Sequence, residues 1–212
     1  MFPFGVTPEP LDALAPDTMN RLLLHAARYH DRSSVFTEGS KKTPDWRADR
    51  LSIRLALALE ETMGVSRGDV VALSLPLDSG WPPTERAIWA LGASSRPLPP
   101  GAVPTEKEAI ITPDIREELV ERGAALDTPE RATRLRSLAR EIEPRQCASI
   151  EGNGGMKSQA DWVGEVERFL TRNPPRRGAR RVISSDVPDF AARLVSFAGW
   201  IDGLTETVFD LE

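Results

Sequence analysis

Val65–Pro100, VSRGDVVALSLPLDSGWPPTERAIWALGASSRPLPP, holds the alternation on which the fold turns. RGDVVALSLPL (67–77) reads as a turn and then a buried strand, with Val70, Val71, Leu73 and Leu75 as its apolar run. TERAIWALGA (84–93) reads as a short helix that ends near Gly92. SSRPLPPGAVP (94–104) follows as an extended, proline-rich exit. Strand, helix and extended return in one stretch is the unit of an α/β fold.

The same alternation continues on both sides. Upstream, Asp17 or Thr18 can cap a helix over MNRLLLHAARYH (19–30), which places Leu22, Leu23, Ala26 and Ala27 on one side. SSVFTEG (33–39) is a short strand and turn. KKTPDWRADRLSIRLALALEETMG (41–64) is the best-marked helix, with Thr43 as cap, Pro44 in the first turn, Asp45 near the positive end and Gly64 as its stop. Downstream, EAIITP (108–113) reads as a strand, DIREELVERG (114–123) as a helix closed by Gly123, and DTPERATRLRSLAREIEP (127–144) as a helix capped by Thr128 with Pro129 after it. SQADWVGEVERFL (158–170) is a helix with Trp162, Val163, Val166, Phe169 and Leu170 on one stripe. ARRVISSDV is a strand, PDFAARLVSFAGWIDG a helix and ETVFDL a last strand. The expected organisation is an arm at 1–16, a first α/β subdomain at 17–104 and a second at 105–212, the two packing as one unit.

Composition narrows the function classes. The 212 residues are 40% hydrophobic and 28% charged, with net charge −5, which gives no general attraction to nucleic acid or anionic membrane. Four lysines, at 41, 42, 107 and 157, leave most of the 27 basic residues to arginine. The single Cys147 excludes an internal disulfide and a multi-cysteine metal site, and His25 and His30 are one residue too far apart for a shared helical face. No metal and no cofactor are expected. MFPFGVTPEP has neither a basic start nor a long apolar run, and no segment approaches the roughly 20 apolar residues that span a bilayer, so a cytoplasmic protein without a membrane span is expected.

With these elements in place, residues 65–100 resemble a segment of the adenylate-forming (AMP-binding) acyl-CoA synthetases. Gly68, Asp69, Val71, Ala72, Trp81, Ala90, Gly92, Ala93, Pro97 and Leu98 carry the likeness. LLLHAARYHDRSSVF (22–36) is similar to the family's opening helix and strand, with His30 where proline is usual, and residues 42–59 are similar to its threonine-capped second helix. Residues 181–209 are similar to the strand and helix that follow the phosphate loop in long-chain members. The resemblance runs in order over most of 18–209 and implies the N-terminal subdomains of such an enzyme, truncated and degenerate.

CASIEGNGGMKSQADW (147–162) occupies the place of the family's phosphate loop, T-S-G-T-T-G-x-P-K-G. It keeps Gly152, Gly154, Gly155 and Lys157, but lacks the Ser/Thr cluster, the proline before lysine and the glycine after it. Met156 also breaks a Walker pattern, and Glu151 stands where a polyphosphate would approach. The loop reads as a structural turn, with Ser158 and Asp161 forming a helix cap; weak nucleotide or phosphate binding at the four retained residues is the second reading. The family's acyl pocket, adenine-binding strand, magnesium-binding acid and catalytic lysine all come later than this sequence runs, and 105–146 is shorter than the family's usual linker. No residue is therefore expected to be catalytic.

Three smaller features complete the reading. PPRRGARR (174–181) is a solvated basic turn, with a phosphorylated partner or nucleic acid as the alternative; no aromatics are interleaved for base stacking, so nucleic acid is not expected. Core packing accounts for most of the five tryptophans. Ser184-Ser185 has no nearby histidine, so a hydrolase triad is not supported. The expected function is a non-catalytic relative acting as a binding or assembly subunit, with a protein partner or a second copy of the chain. The alternatives are one half of a split AMP-forming acyl-CoA ligase completed by another chain, or an unrelated α/β adaptor. If the sheet near VISSDV and ETVFDL is interrupted, Phe197, Trp200, Ile201, Val208 and Phe209 are the expected interface.

Overall fold

A computed structural model describes residues 16–29, 34–99, 102–105, 108–152, 154–184 and 187–210. Most of the expected arm, together with His30 and Ser185, lies outside the described residues. The elements in chain order are α1 (Met19–Tyr29), β1 (Ser34–Glu38), β2 (Lys41–Pro44), α2 (Asp45–Met63), β3 (Val70–Leu73), α3 (Trp81–Ala90), β4 (Ser94–Pro97) and β5 (Ala109–Ile111). They continue with α4 (Pro113–Leu126), α5 (Pro129–Arg140), β6 (Cys147–Ile150), β7 (Met156–Ser158), α6 (Gln159–Arg172), β8 (Arg180–Ile183), α7 (Phe190–Asp202) and β9 (Glu206–Phe209). The strands form two mixed sheets of order β5-β3-β4-β6-β7 and β2-β1-β9-β8. Strands from both sides of residue 104 enter both sheets.

The Val65–Pro100 stretch builds the middle of the first sheet. Strand β3 pairs in parallel with β4 and with β5, and α3 makes the crossover to β4. The proline-rich exit is thus a central strand over 94–97, where an extended coil was expected. Pro97 is tolerated because the ladder from β4 to β6 is confined to Ser95 and Ser149, so no hydrogen bond is asked of the proline nitrogen on that side. Helix α3 also begins earlier than expected, at Trp81, with Pro82 and Pro83 in the first turn, where missing N–H groups cost nothing.

Two glycine and cap readings change in physical detail. Lys41–Pro44 is a strand antiparallel to β1, so Thr43 is a ladder residue and Pro44 stands at the start of α2 with no side-chain cap. Gly64 ends α2 in the left-handed region at φ 67°, as expected of a C-terminal glycine. Gly123 does not end α4, which runs on to Leu126. Its role is close approach: a Cβ there would lie 2.1 Å from the Arg54 carbonyl oxygen of α2. The caps at Thr18, Thr128 and Ser158 accept from the backbone N–H groups of Arg21, Arg131 and Asp161.

The core runs through both sheets. The middle of α2, Leu55 to Leu59, is buried on all sides, and Trp81, Trp89, Trp162 and Trp200 are each fully buried while Trp46 is exposed. An aromatic seam links the sheets. Trp89 of α3 stacks on Phe197 at 4.8 Å and meets Trp162 at 5.3 Å; Trp200 meets Phe36 of β1 at 5.6 Å, and Phe36 meets Phe209 of β9 at 5.9 Å. Each buried indole N–H has an acceptor, the shortest running from Trp200 to Asp45 Oδ1 at 2.5 Å and from Trp89 to the Ala148 carbonyl at 2.7 Å. The expected surface at Phe197, Trp200 and Phe209 is therefore interior. Helix α7 lays Phe197 and Trp200 over the second sheet, whose strand β9 contributes Phe209, and Ile201 and Val208 are half-buried. Among the described residues no helix is long and apolar enough to cross a membrane.

Candidate functional site

The glycine stretch is a hairpin. Strands β6 and β7 are antiparallel, and the turn between them closes with Gly154 N–H donating to the Glu151 carbonyl and Glu151 N–H donating to the Gly155 carbonyl, both at 2.8 Å. Gly154 takes φ 80°, which accounts for a glycine there. Two backbone donors of a potential phosphate cradle are thereby spent inside the turn. Space outside the hairpin is open, since a Cβ on Gly152 or Gly154 would meet nothing within 4 Å.

Lys157 lies on β7 and points back over the fold. Its Nζ is 3.6 Å from Glu165 Oε1 and 4.3 Å from the centre of the Phe190 ring. Ser158 then caps α6, and its own N–H donates to Asp161 Oδ2 at 2.8 Å, completing a capping box. That backbone bond, with the Ser158 hydroxyl, holds the Asp161 carboxyl below its ordinary range. The Lys-Ser pair is accounted for by an ion pair, a ring contact and a helix cap.

Glu151 turns inward. It accepts from Ser149 Oγ at 2.6 Å and from Arg193 Nη1 at 2.8 Å. The Arg193 side chain is fully buried, and its guanidinium also pairs with Glu85, which is buried with it. Glu85 further accepts from Ser95 Oγ at 2.6 Å and Trp81 Nε1 at 3.0 Å, while Trp162 Nε1 donates to Ser149 at 3.0 Å. Arg193 lies over the Trp162 ring at 5.0 Å. One guanidinium thus faces two carboxylates, and every partner is a hydrogen bond rather than solvent. This network was not anticipated from the sequence. Its only signal was a charged residue inside each of two apolar helical stripes, at Glu85 and Arg193.

Around the hairpin is an open cavity of about 500 Å³. It is bounded by the exit of β4 at Pro97–Pro99, by Glu151, Gly152, Gly155, Met156 and Lys157, and by Val187–Phe190 at the start of α7. Of the three retained loop glycines and the lysine, Gly152, Gly155 and Lys157 line it, and Gly154 does not. Asp189 caps α7 by accepting from Ala192 N–H at 2.7 Å, so a carboxylate already occupies that helix start. Among the described residues no group of three or more His, Cys, Asp and Glu could hold a metal ion. The arrangement offers shape, apolar surface and two anchored carboxylates; it offers little free positive charge.

No protein-family model and no curated protein matches the sequence. Solved structures do match its shape. The N-terminal domain of FACL13 from Mycobacterium tuberculosis superposes with a TM-score of 0.75 at 16% identity, covering 91% of this chain and 56% of that one. The o-succinylbenzoate CoA synthetase MenE of Bacillus subtilis, solved with an acyl-adenylate intermediate, gives 0.68 at 14% identity over 89% of this chain and 55% of its own. Coronafacic acid ligase of Pectobacterium brasiliense gives 0.67 at 16%, over 91% and 45%. The chain spans about half the length of these structures. The superpositions agree with the resemblance carried by residues 65–100: this chain has the fold of the N-terminal part of the adenylate-forming acyl-CoA synthetases.

Proposed function

We propose that the chain is a non-catalytic acyl-CoA-synthetase-like protein that serves as a binding or assembly subunit. The observation that supports this best is the state of the glycine hairpin. Stabilising a polyphosphate in transfer calls for several donors and cations aimed at it. Here the Glu151 and Gly154 amides are consumed within the turn, and Lys157, the one cation among the described lining residues, is paired with Glu165. Gly152, Gly155 and Lys157 leave room for weak anion binding, with a dissociation constant on the order of 1 mM, about 4 kcal/mol. Cytoplasmic residence and a protein partner belong to the same reading.

A second reading is favoured by the span of the structural likeness, about half of each relative. In it the chain is one portion of an AMP-forming acyl-CoA ligase, completed by further polypeptide. One pair of measurements separates the two. The non-catalytic reading expects no carboxylate-dependent ATP–pyrophosphate exchange from the purified chain and at most millimolar ATP binding by calorimetry. Exchange that disappears in Lys157→Ala would overturn it, and micromolar ATP binding would favour the second reading.

A further inference from the structure

Among the described residues strand β8 ends the four-stranded sheet and pairs with β9 alone. The Ala179 and Ile183 carbonyls accept from the Glu206 N–H of β9 and from the Asp210 N–H that follows it, at 3.0 and 2.9 Å. Backbone groups alternate along a parallel ladder, so the N–H and C=O groups of Arg180 and Val182 point away from β9. Their side chains are exposed too, 58% for Val182. Residues facing the other way are occupied: Arg181 pairs with Asp202 and lies over the Phe169 ring, and Ile183 is buried. Parallel strands are ordinarily enclosed, and among the described residues no strand pairs with the outward backbone groups of Arg180 and Val182.

Arg176 and Arg177, in the basic turn that leads into β8, are exposed and, among the described residues, lack an ion-pair partner, whereas Arg180 is held by Glu206 at 2.9 Å. Leu204, 44% exposed, adjoins the same turn through the hydrogen bond from Gly178 N–H to its carbonyl at 3.2 Å. A second copy of the chain is a poor match. Pairing β8 with β8 would oppose arginine to arginine, and the opposite edge of the sheet, β2, carries the exposed Lys41 and Lys42.

We propose that β8 is a docking edge for an acidic, extended segment of a protein partner. The segment pairs its backbone with Arg180 and Val182 and sets its carboxylates against Arg176 and Arg177. This rests on the reading of the chain as an assembly subunit and gives that reading a surface and a partner chemistry. Backbone pairing supplies the affinity and the arginines select the sign of charge.

The test uses the full chain and a short peptide of alternating Glu and Val, compared with a Lys-Val peptide and with the Glu-Val peptide N-methylated along its backbone. Titration should detect the acidic peptide alone. The double variant Arg176→Glu/Arg177→Glu should weaken it by about tenfold or more, the scale of two charges at an interface rim. Amide hydrogen exchange should slow at Arg180 and Val182 when the peptide is bound. Equal binding of the N-methylated peptide would overturn strand pairing. So would binding of single-stranded RNA or heparin in its place, or no peptide binding at all. Pyrophosphate exchange does not enter these outcomes, so an active chain would defeat the non-catalytic reading without touching the edge, and the reverse holds.

Discussion

Removing the Arg193 guanidinium would leave the buried Glu85 carboxyl without its cation, with only Ser95 and Trp81 as donors. The cost of such a half-pair is about 3–5 kcal/mol, far above the worth of a surface ion pair. Arg193→Leu should therefore lower the urea midpoint steeply, and Glu85→Leu added to it should restore a large part of the loss, because the unpaired charge is gone. Additive losses would show that the pair is not the source of the effect. The same residue explains why Glu151 does not guard the cavity mouth as a free anion. Its carboxylate is a hydrogen-bonded member of the buried network and reaches the surface only in part. Position in the chain gave no hint of this, since Glu85, Glu151 and Arg193 are far apart in sequence and meet only because α3, β6 and α7 converge.

At the scale of elements, local chemistry was readable where it closes on itself. Thr128 with Pro129, Gly64, and the Ser158–Asp161 pair each fix an end within a few residues, and each is found in the role its type suggests. Elements that depend on distant partners were not readable. Strands β2 and β4 look like a helix start and a coil because their pairing residues lie elsewhere, and the β7 strand hides behind glycines. Gly123 is the sharpest example, a helix stop by composition and a contact point in fact. Gly123→Ala should destabilise by about 1–3 kcal/mol, since its methyl would press on the Arg54 backbone, outweighing the gain of about 1 kcal/mol that alanine gives in a helix. Gly164→Ala in α6 is the matched control, because its Cβ would meet Arg168 at an ordinary 3.7 Å; it should stabilise by about 0.5–1 kcal/mol. Melting temperatures of the two variants should move in opposite directions. A neutral Gly123→Ala would mean that α2 and α4 can separate without penalty.

Over the whole molecule, the aromatic seam decides whether the two sheets behave as one body. The residues that looked like a surface on sequence grounds, Phe197, Trp200 and Phe209, are where α7 joins the second sheet to α3 and α6 beneath the first. A charge there would not loosen an association; it would open the core. On the proposed reading association would use the β8 edge, which lies apart from this seam. Phe197 touches Trp89, Trp162 and Trp200, and Phe197→Ala should cost about 3–5 kcal/mol. Unfolding should stay a single transition, coincident by tryptophan fluorescence and far-ultraviolet circular dichroism, because both sheets draw on the same seam. Fluorescence that changes well before the circular dichroism would mean that the seam melts while the sheets persist, and the molecule would then be two units in contact.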